Sequence, residues 1–271
     1  VQAGLPAHDA CGRYTVPEVT LANLHPEEKP VWPYMFVTVA CGAISGFHST
    51  QSPMMARCLK TEKDGRKVFY GAMIIEALIA LTWAAAGVAF YENSAALNQA
   101  LATIGQSGVI YQVTTTLMGP LGGVLAVIGV IVCPITSGDT AFRGTRLILA
   151  ETFSLNQKSI KNRLLITVPL LIVGAFLTQI NFDVLWRYFA ASNQFLATVV
   201  LWVGTVYLFK FRGKAASLLT ALPATFMTGV VSTYILMAKE GFALPDTVGY
   251  GFGCGFSLLV FCVYGFYFLK K

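Results

Sequence analysis

Polar side chains interrupt an apolar run between Ser45 and Pro53, and their chemistry suits the recognition of a small solute. Hydroxyl, amide and imidazole groups donate and accept hydrogen bonds, and backbone amides freed at the start of a half-helix favour an anion such as a carboxylate. Hydrocarbon tolerates such a break only where protein or a water-filled cavity surrounds it, and secondary transporters commonly build solute sites this way. The candidate substrate-binding residues of this first interruption are Ser45, Gly46, His48, Ser49, Thr50, Gln51 and Ser52.

Two ionisable side chains lie where they could carry a proton. His48 is the only histidine in a predicted membrane segment, and histidine titrates near neutral pH. Its ring could equally cap backbone groups that the break leaves free. Glu76 is the only acidic residue in the middle of a predicted segment, where a charge costs at least ~2.5 kcal/mol unless it is paired or hydrated. Glu76 could exchange a proton during transport or, when protonated, hydrogen-bond to a neighbouring helix.

A second interruption runs from Cys133 to Arg146 and ends the third apolar segment. Asp139 and Arg143 are four residues apart, so a helix places them on one face, where they predict a solvated salt bridge or a gate. Ser137 and Thr140 could coordinate a small cation through their oxygens or cap a helix. These four residues form a candidate gate or ion site.

A third interruption, Arg187 to Phe195, contains Ser192, Asn193 and Gln194 in sequence. Their side chains could line a pore or join neighbouring helices by hydrogen bonds.

The composition predicts the elements that position these residues. The chain has 271 residues, of which 55% are hydrophobic and only 12% are charged, which indicates a membrane protein. At about 20 residues per spanning helix, we predict an all-α, polytopic bundle with broken helices and about seven spans. The predicted segments are Pro33 to Met55, Phe69 to Phe90, Ile110 to Thr136, Leu164 to Ile180, Val184 to Phe209, Ala215 to Ala238 and Val248 to Leu269.

The basic residues orient these segments. Fifteen of the nineteen fall in four stretches that each follow an odd-numbered segment, which places all four on one side. The positive-inside rule makes that side cytoplasmic, so the basic charge does not indicate nucleic acid as a partner. Residues 1–30 are predicted to form an external loop, and residues 31–271 a transmembrane helical domain. The lipid bilayer is therefore the first expected partner.

The sequence lacks the patterns of common catalytic and metal sites. It contains no GxSxG, HExxH or Walker A motif, no GxGxxG in a strand-to-helix setting, and no CxxC or Cys/His metal spacing. Serines near His48 suggest hydrolysis, but no orienting acid is evident. We therefore expect no enzyme activity, no cofactor and no metal. The cysteines inside apolar segments are interpreted as small buried hydrophobic residues, namely Cys41, Cys133, Cys254 and Cys262.

Three stretches of the chain resemble the carbon starvation protein A family of bacterial and archaeal inner-membrane transporters. They are Ala40 to Pro53, the segment FYGAMIIEALIALTWAA from Phe69, and ITSGDTAFRGTRLILAE from Ile135 to Glu151. The resemblance implies proton-driven uptake of peptides or small carboxylates such as pyruvate during carbon starvation. It also implies kinship with transporters built from inverted repeats of five helices, and a longer protein whose N-terminal helices are missing from this chain.

The resulting hypothesis is a fragment of a proton-coupled transporter in the cell inner membrane. The first interruption would lie near the solute, with Glu76 or His48 in proton coupling. The alternatives are a channel, whose pore the same polar residues could line, a sensory membrane protein, and a membrane-embedded hydrolase.

Overall fold

Helices make up most of the computed structural model, which describes residues 29–91 and 94–269. The predicted external loop therefore lies, apart from its last two residues, outside the described part of the chain. The eight α-helices of the described ranges are α1 (Val31–Ala43), α2 (Gly46–Cys58), α3 (Ala72–Phe90), α4 (Ser94–Thr152), α5 (Ile160–Leu177), α6 (Phe182–Arg212), α7 (Lys214–Met237) and α8 (Asp246–Tyr264). Short π-helical turns, Arg66–Gly71 and Gly265–Leu269, precede α3 and follow α8. The predicted all-α, polytopic fold class is confirmed.

Six helices among the described residues, rather than seven, are long and apolar enough to cross a membrane. The exception is the predicted segment Pro33 to Met55, which forms α1 and α2, of 13 residues each. At 1.5 Å per residue, each of these helices is about 20 Å long, against about 30 Å for the hydrocarbon core. The six that qualify span Arg66–Gly87, Ala95–Thr152, Ile160–Leu177, Val184–Arg212, Lys214–Met237 and Asp246–Phe268.

The second and third interruptions do not break their helices, so this part of the prediction is wrong. Helix α4 continues through the second interruption, where Thr136 and Thr140 donate their hydroxyls to the carbonyls of Cys133 and Thr136. Helix α6 likewise continues through the third. Polar side chains that bond to their own helix or to a neighbouring one leave the helical backbone intact.

Helix α4 contains two kinks, and both occur at glycines with positive φ. Gly105 has φ +70° and Gly119 has φ +72°, which is the left-handed region that favours glycine. The second kink immediately precedes Pro120, which has no backbone N–H to donate within the helix.

The chain divides into two compact units. One contains Lys60–Thr140, and the other contains Lys29–Leu59 together with Ala141–Lys271. In the second unit, α6 packs on α7, α7 packs on α8, and both α1 and α2 pack on α6. The packed helices are also joined by hydrogen bonds such as Trp202 Nε1 to Thr228 Oγ1, at 2.9 Å, and Ser257 Oγ to the carbonyl of Thr225, at 2.6 Å. This second unit positions the first interruption.

Candidate functional site

Helix α2 begins immediately after a sharp change of backbone direction at Ser45. This residue is extended, with φ −117° and ψ 138°, and its hydroxyl accepts a hydrogen bond from the amide of Phe47 at 3.2 Å. Serine is a preferred N-cap because its oxygen satisfies an amide that has no partner within the helix. The first interruption is therefore a true helix break between α1 and α2, as the sequence predicted.

Asn193 of α6 holds the break in place from 148 residues away in sequence. Its Oδ1 accepts a hydrogen bond from the amide of Phe47 at 3.0 Å, and its Nδ2 lies 3.0 Å from Ser45 Oγ. Both Ser45 and Asn193 are buried, so these hydrogen bonds form away from water. The next residue, Gln194, donates to the carbonyl of Val37 in α1 at 3.4 Å. Two consecutive side chains of α6 thus bond to both sides of the break.

Gly46 allows the start of α2 to approach α6 this closely. A Cβ atom at this position would lie 2.6 Å from the backbone oxygen of Asn193 and 3.0 Å from Leu196 Cβ. Atoms do not approach so closely without a shift, so a larger residue would separate the two helices. Gly46 is therefore a packing position within the predicted substrate group.

Several donors that the sequence offered to a solute are already used within the protein. The amide of Phe47 is bonded to Ser45 and Asn193, and the amide of His48 donates to the carbonyl of Ser45 at 3.1 Å. The expectation of free amides at the start of α2 is therefore wrong for these two groups. The hydroxyls of Ser49 and Thr50 donate to carbonyls one turn back in the helix.

Gln51 retains an unused polar atom. The residue is 9% exposed, and its Oε1 is buried without a hydrogen-bond partner among the described residues. The Nε2 atom lies 3.2 Å from Thr50 Oγ1, whose only proton goes to the carbonyl of Phe47. The hydroxyl can therefore only accept from Gln51, which assigns the amide orientation and leaves Oε1 as an open acceptor. Gly144 of α4 makes room for this side chain.

His48, Gln51 and Ser52 share one face of α2, because residues three and four apart are neighbours on a helix. His48 and Ser52 are half-buried, and neither side chain hydrogen-bonds to a described residue. This face combines an imidazole, a hydroxyl and an open carbonyl oxygen, which together can both donate and accept hydrogen bonds. These side chains of the predicted substrate group keep hydrogen-bonding atoms that no described residue uses.

Glu76 lies on α3, in the other unit. Its side chain is exposed and pairs with no side chain in the described part of the chain. Helix α3 belongs to the apolar candidate span Arg66–Gly87.

The candidate gate residues Ser137, Asp139, Thr140 and Arg143 all lie along helix α4. Thr140 is half-buried and its hydroxyl is bonded to the carbonyl of Thr136, whereas the other three are exposed. The described ranges contain no group of three or more His, Cys, Asp or Glu side chains that could hold a metal ion.

Asn193 is the site residue that the sequence-based assignment omitted. The interpretation that the third interruption joins neighbouring helices was nevertheless right for Asn193 and Gln194. The signal was the presence of two amide side chains in an apolar segment, but the sequence does not show which helix they contact.

Comparison with known proteins identifies the family. Residues 10–118 and 93–234 match the family described as Carbon starvation protein CstA. The peptide transporter CstA of Bacillus subtilis is 25% identical over 282 residues, which cover 88% of this chain and 47% of that protein. An uncharacterized protein of Haemophilus influenzae is 48% identical over 122 residues, which cover 45% of this chain and 87% of that protein.

A shorter match connects the chain to a second transporter. The pyruvate/proton symporter BtsT of Escherichia coli is 41% identical over 58 residues, which cover 19% of this chain and 8% of the symporter. The chain spans about half the length of the Bacillus subtilis peptide transporter. No solved structure matches it. The family match and the six apolar helices together indicate a multi-pass membrane protein, and the chain belongs to the carbon starvation protein CstA family.

Proposed function

We propose that the chain is the later part of a proton-coupled secondary transporter that imports peptides or small carboxylates such as pyruvate during carbon starvation. The observation that carries this proposal is the α1–α2 break, which is bonded to α6 through Asn193 and leaves the buried Oε1 of Gln51 open. The printed names of two relatives, a peptide transporter and a pyruvate/proton symporter, support the substrate classes. Further helices of the same protein, N-terminal to this chain, would complete an inverted-repeat fold.

We assign solute contact to the polar group of the break, with its open face as the centre. His48 and Ser52 would donate hydrogen bonds to a carboxylate, and Gln51 Oε1 would accept one from a peptide N–H or ammonium group. Ser45 and Gly46 would shape the break, and Ser49 and Thr50 would offer their remaining lone pairs. This division of roles follows from which protons are already used within α2.

For proton coupling we propose Glu76 and His48, and for a cytoplasmic gate Ser137, Asp139, Thr140 and Arg143. A charge in an apolar span is costly unless it is paired or hydrated, which supports Glu76 as the residue of this span that carries the proton. The protein would lie in the cell inner membrane with its basic loops on the cytoplasmic side, as the charge distribution predicts.

The test is uptake of labelled pyruvate and labelled alanyl-alanine by proteoliposomes that contain the native full-length protein. We expect uptake that saturates with solute and collapses when the proton gradient is dissipated. Currents far above carrier turnover would identify a channel instead, and the absence of uptake for both probes would reject the substrate classes.

Variants test the assigned residues. His48→Ala and Ser49→Ala should raise the half-saturating solute concentration, whereas Ser107→Ala, an exposed serine of α4, should leave it unchanged. Glu76→Gln should abolish accumulation against a gradient with normal protein abundance if Glu76 couples the proton. Unaltered accumulation in Glu76→Gln would eliminate that role.

A further inference from the structure

A buried carboxylate lies in the turn between α7 and α8. The Glu240 side chain is only 8% exposed. The turn folds back on the end of α7, because the amides of Phe242 and Leu244 donate to the carbonyls of Ile235 and Leu236 at 2.9 and 2.8 Å. These backbone hydrogen bonds fix the position of the turn. The buried carboxylate is therefore held by the local fold.

The two oxygens of Glu240 are held in different ways. Oε1 accepts a hydrogen bond from the hydroxyl of Tyr234 in α7. Oε2 lies 3.6 Å from Arg187 Nε of α6, which is a charge contact longer than a hydrogen bond. The tyrosine therefore holds the carboxylate more closely than the arginine does.

Arg187 has further binding capacity. Its side chain is 49% exposed, and its only ion pair with a described residue is the one made through Nε. A guanidinium carries five N–H donors in a planar fork that matches the two oxygens of a carboxylate. The terminal nitrogens make no ion pair with a described residue, so they can supply these donors to an incoming anion.

We propose that Arg187 receives the carboxylate of the solute on the external side, before the solute reaches the α1–α2 break, and that Glu240 takes up the proton there, ahead of Glu76 and His48, as Arg187 leaves it. This inference rests on the proposed transport function and adds a site on the side predicted to be external. A buried carboxylate that loses its countercharge favours the neutral form. The proton from the external solution binds to Glu240 Oε2, so the site keeps its net charge while it gains one anion and one proton. Solute and proton therefore bind together, one to one.

Few other charged or titratable groups among the described residues lie near Glu240. Tyr34 of α1 packs edge-on against Tyr234, with ring centroids 5.5 Å apart. Asp246 and Tyr250 of α8 lie close enough to Tyr34 to interact with it electrostatically. Arg187 is thus the cation that contacts this carboxylate within the described residues, and its departure removes the compensating charge.

The site is connected to the α1–α2 break through α6. Arg187 and Gln194 are seven residues apart, which places them on the same face of α6. Between them, Ala190 and Ala191 pack against a buried cluster. The cluster consists of Val37 of α1, Val230 and Tyr234 of α7, and Ala238, which follows the end of α7. A movement of Arg187 on solute binding can therefore be transmitted along α6 to Gln194, whose side chain bonds to α1 next to the break.

The test uses the full-length protein in proteoliposomes, with pyruvate, alanyl-alanine and alanyl-alanine amide as probes. A pH-sensitive dye reports proton uptake, and exchange of labelled solute reports binding without net proton movement.

In Glu240→Gln, which keeps an acceptor for Tyr234, we expect solute-driven proton uptake to fall to background while exchange persists. Arg187→Ala should raise the half-saturating pyruvate concentration about tenfold or more, as the loss of a charge-assisted hydrogen bond predicts. The amide probe, which has no carboxylate, should bind equally to both proteins.

Lys239→Gln is the matched control, because Lys239 is an exposed charge of the same turn that lies outside this cluster. It should behave like the wild type. If the wild type transports with proton uptake and Glu240→Gln does so equally, this inference is wrong although the proposed transport stands. If the wild type does not transport, the proposed function itself fails.

A second variant covers the case in which Glu240→Gln does not fold. Tyr234→Phe removes the hydroxyl that stabilises the ionised carboxylate, so proton binding should persist to higher pH. The pH profile of uptake should therefore shift upward. A Tyr234→Phe profile that coincides with the wild-type profile would overturn the proposal.

Discussion

Replacement of Gly46 by alanine should separate α2 from α6 and disable the candidate site. The added Cβ would lie 2.6 Å from the backbone oxygen of Asn193, whereas carbon and oxygen atoms normally stay at least about 3.3 Å apart. The helices must therefore move apart by roughly 0.7 Å. The hydrogen bond from the amide of Phe47 to Asn193 Oδ1, now 3.0 Å, would then exceed the usual limit of about 3.2 Å.

The expected loss of stability combines two terms. Overpacking costs about 1–3 kcal/mol, and each weakened hydrogen bond about 1 kcal/mol, so Gly46→Ala should destabilise the protein by about 2–4 kcal/mol. The assay is thermal unfolding of the purified protein, with solute uptake measured in parallel. The matched control is Gly204→Ala in α6, where a Cβ atom would meet nothing within 4 Å. Alanine there should be neutral or stabilising by up to about 1 kcal/mol.

The close packing of α2 on α6 at Gly46 would be refuted if Gly46→Ala melted at the same temperature as Gly204→Ala and transported the solute normally. A loss of uptake without a loss of stability would separate the effect of Gly46→Ala on transport from its effect on unfolding. In that case the packing of α2 on α6 would matter for the function of the site rather than for the stability of the unit.

Three further variants test other contacts of the second unit. Asn193→Leu should destabilise the protein by about 1–3 kcal/mol, because Ser45 and the start of α2 lose a buried partner, and the melting temperature of the purified protein measures this. Gly253→Ala should weaken the packing of α8 on α7, since the new Cβ would lie 2.8 Å from the backbone of Thr233, and a lower melting temperature than that of Gly251→Ala would show it. Glu151→Gln removes an ion pair whose side chains are both 70% exposed, so the melting temperature should change by less than the equivalent of about 1 kcal/mol.

The fold was predictable where a single local signal dominated. Long apolar segments predicted the helices, and a serine, a glycine and a proline close together predicted the break after α1. The same reasoning failed for the second and third interruptions, because it counted polar residues without knowing their partners. Thr140 satisfies its hydroxyl within α4, and Asn193 finds its partner 148 residues away, so neither interrupts a helix.

The site was predictable in composition but not in arrangement. The sequence identified the polar residues of the break. It did not show that the amide of Phe47, which was expected to be free for a solute, donates to Asn193 Oδ1. It also assigned buried charge to Glu76, in the middle of an apolar segment. The carboxylate that the structure buries against an arginine is Glu240, in a connecting turn, because the turn folds back on α7. Contacts of this kind depend on tertiary packing.

Contact between the solute and the α1–α2 break can be measured as protection of a single cysteine against alkylation. In the full-length protein with its native cysteines replaced, Ser52→Cys places a thiol of similar size on the open face of α2, and Ser107→Cys provides an exposed control. The measurement is the rate of thiol alkylation at increasing concentrations of a transported solute. We expect saturating solute to slow alkylation at position 52 and to leave the rate at position 107 unchanged. An unaltered rate at position 52 in a protein that still transports the solute would contradict it.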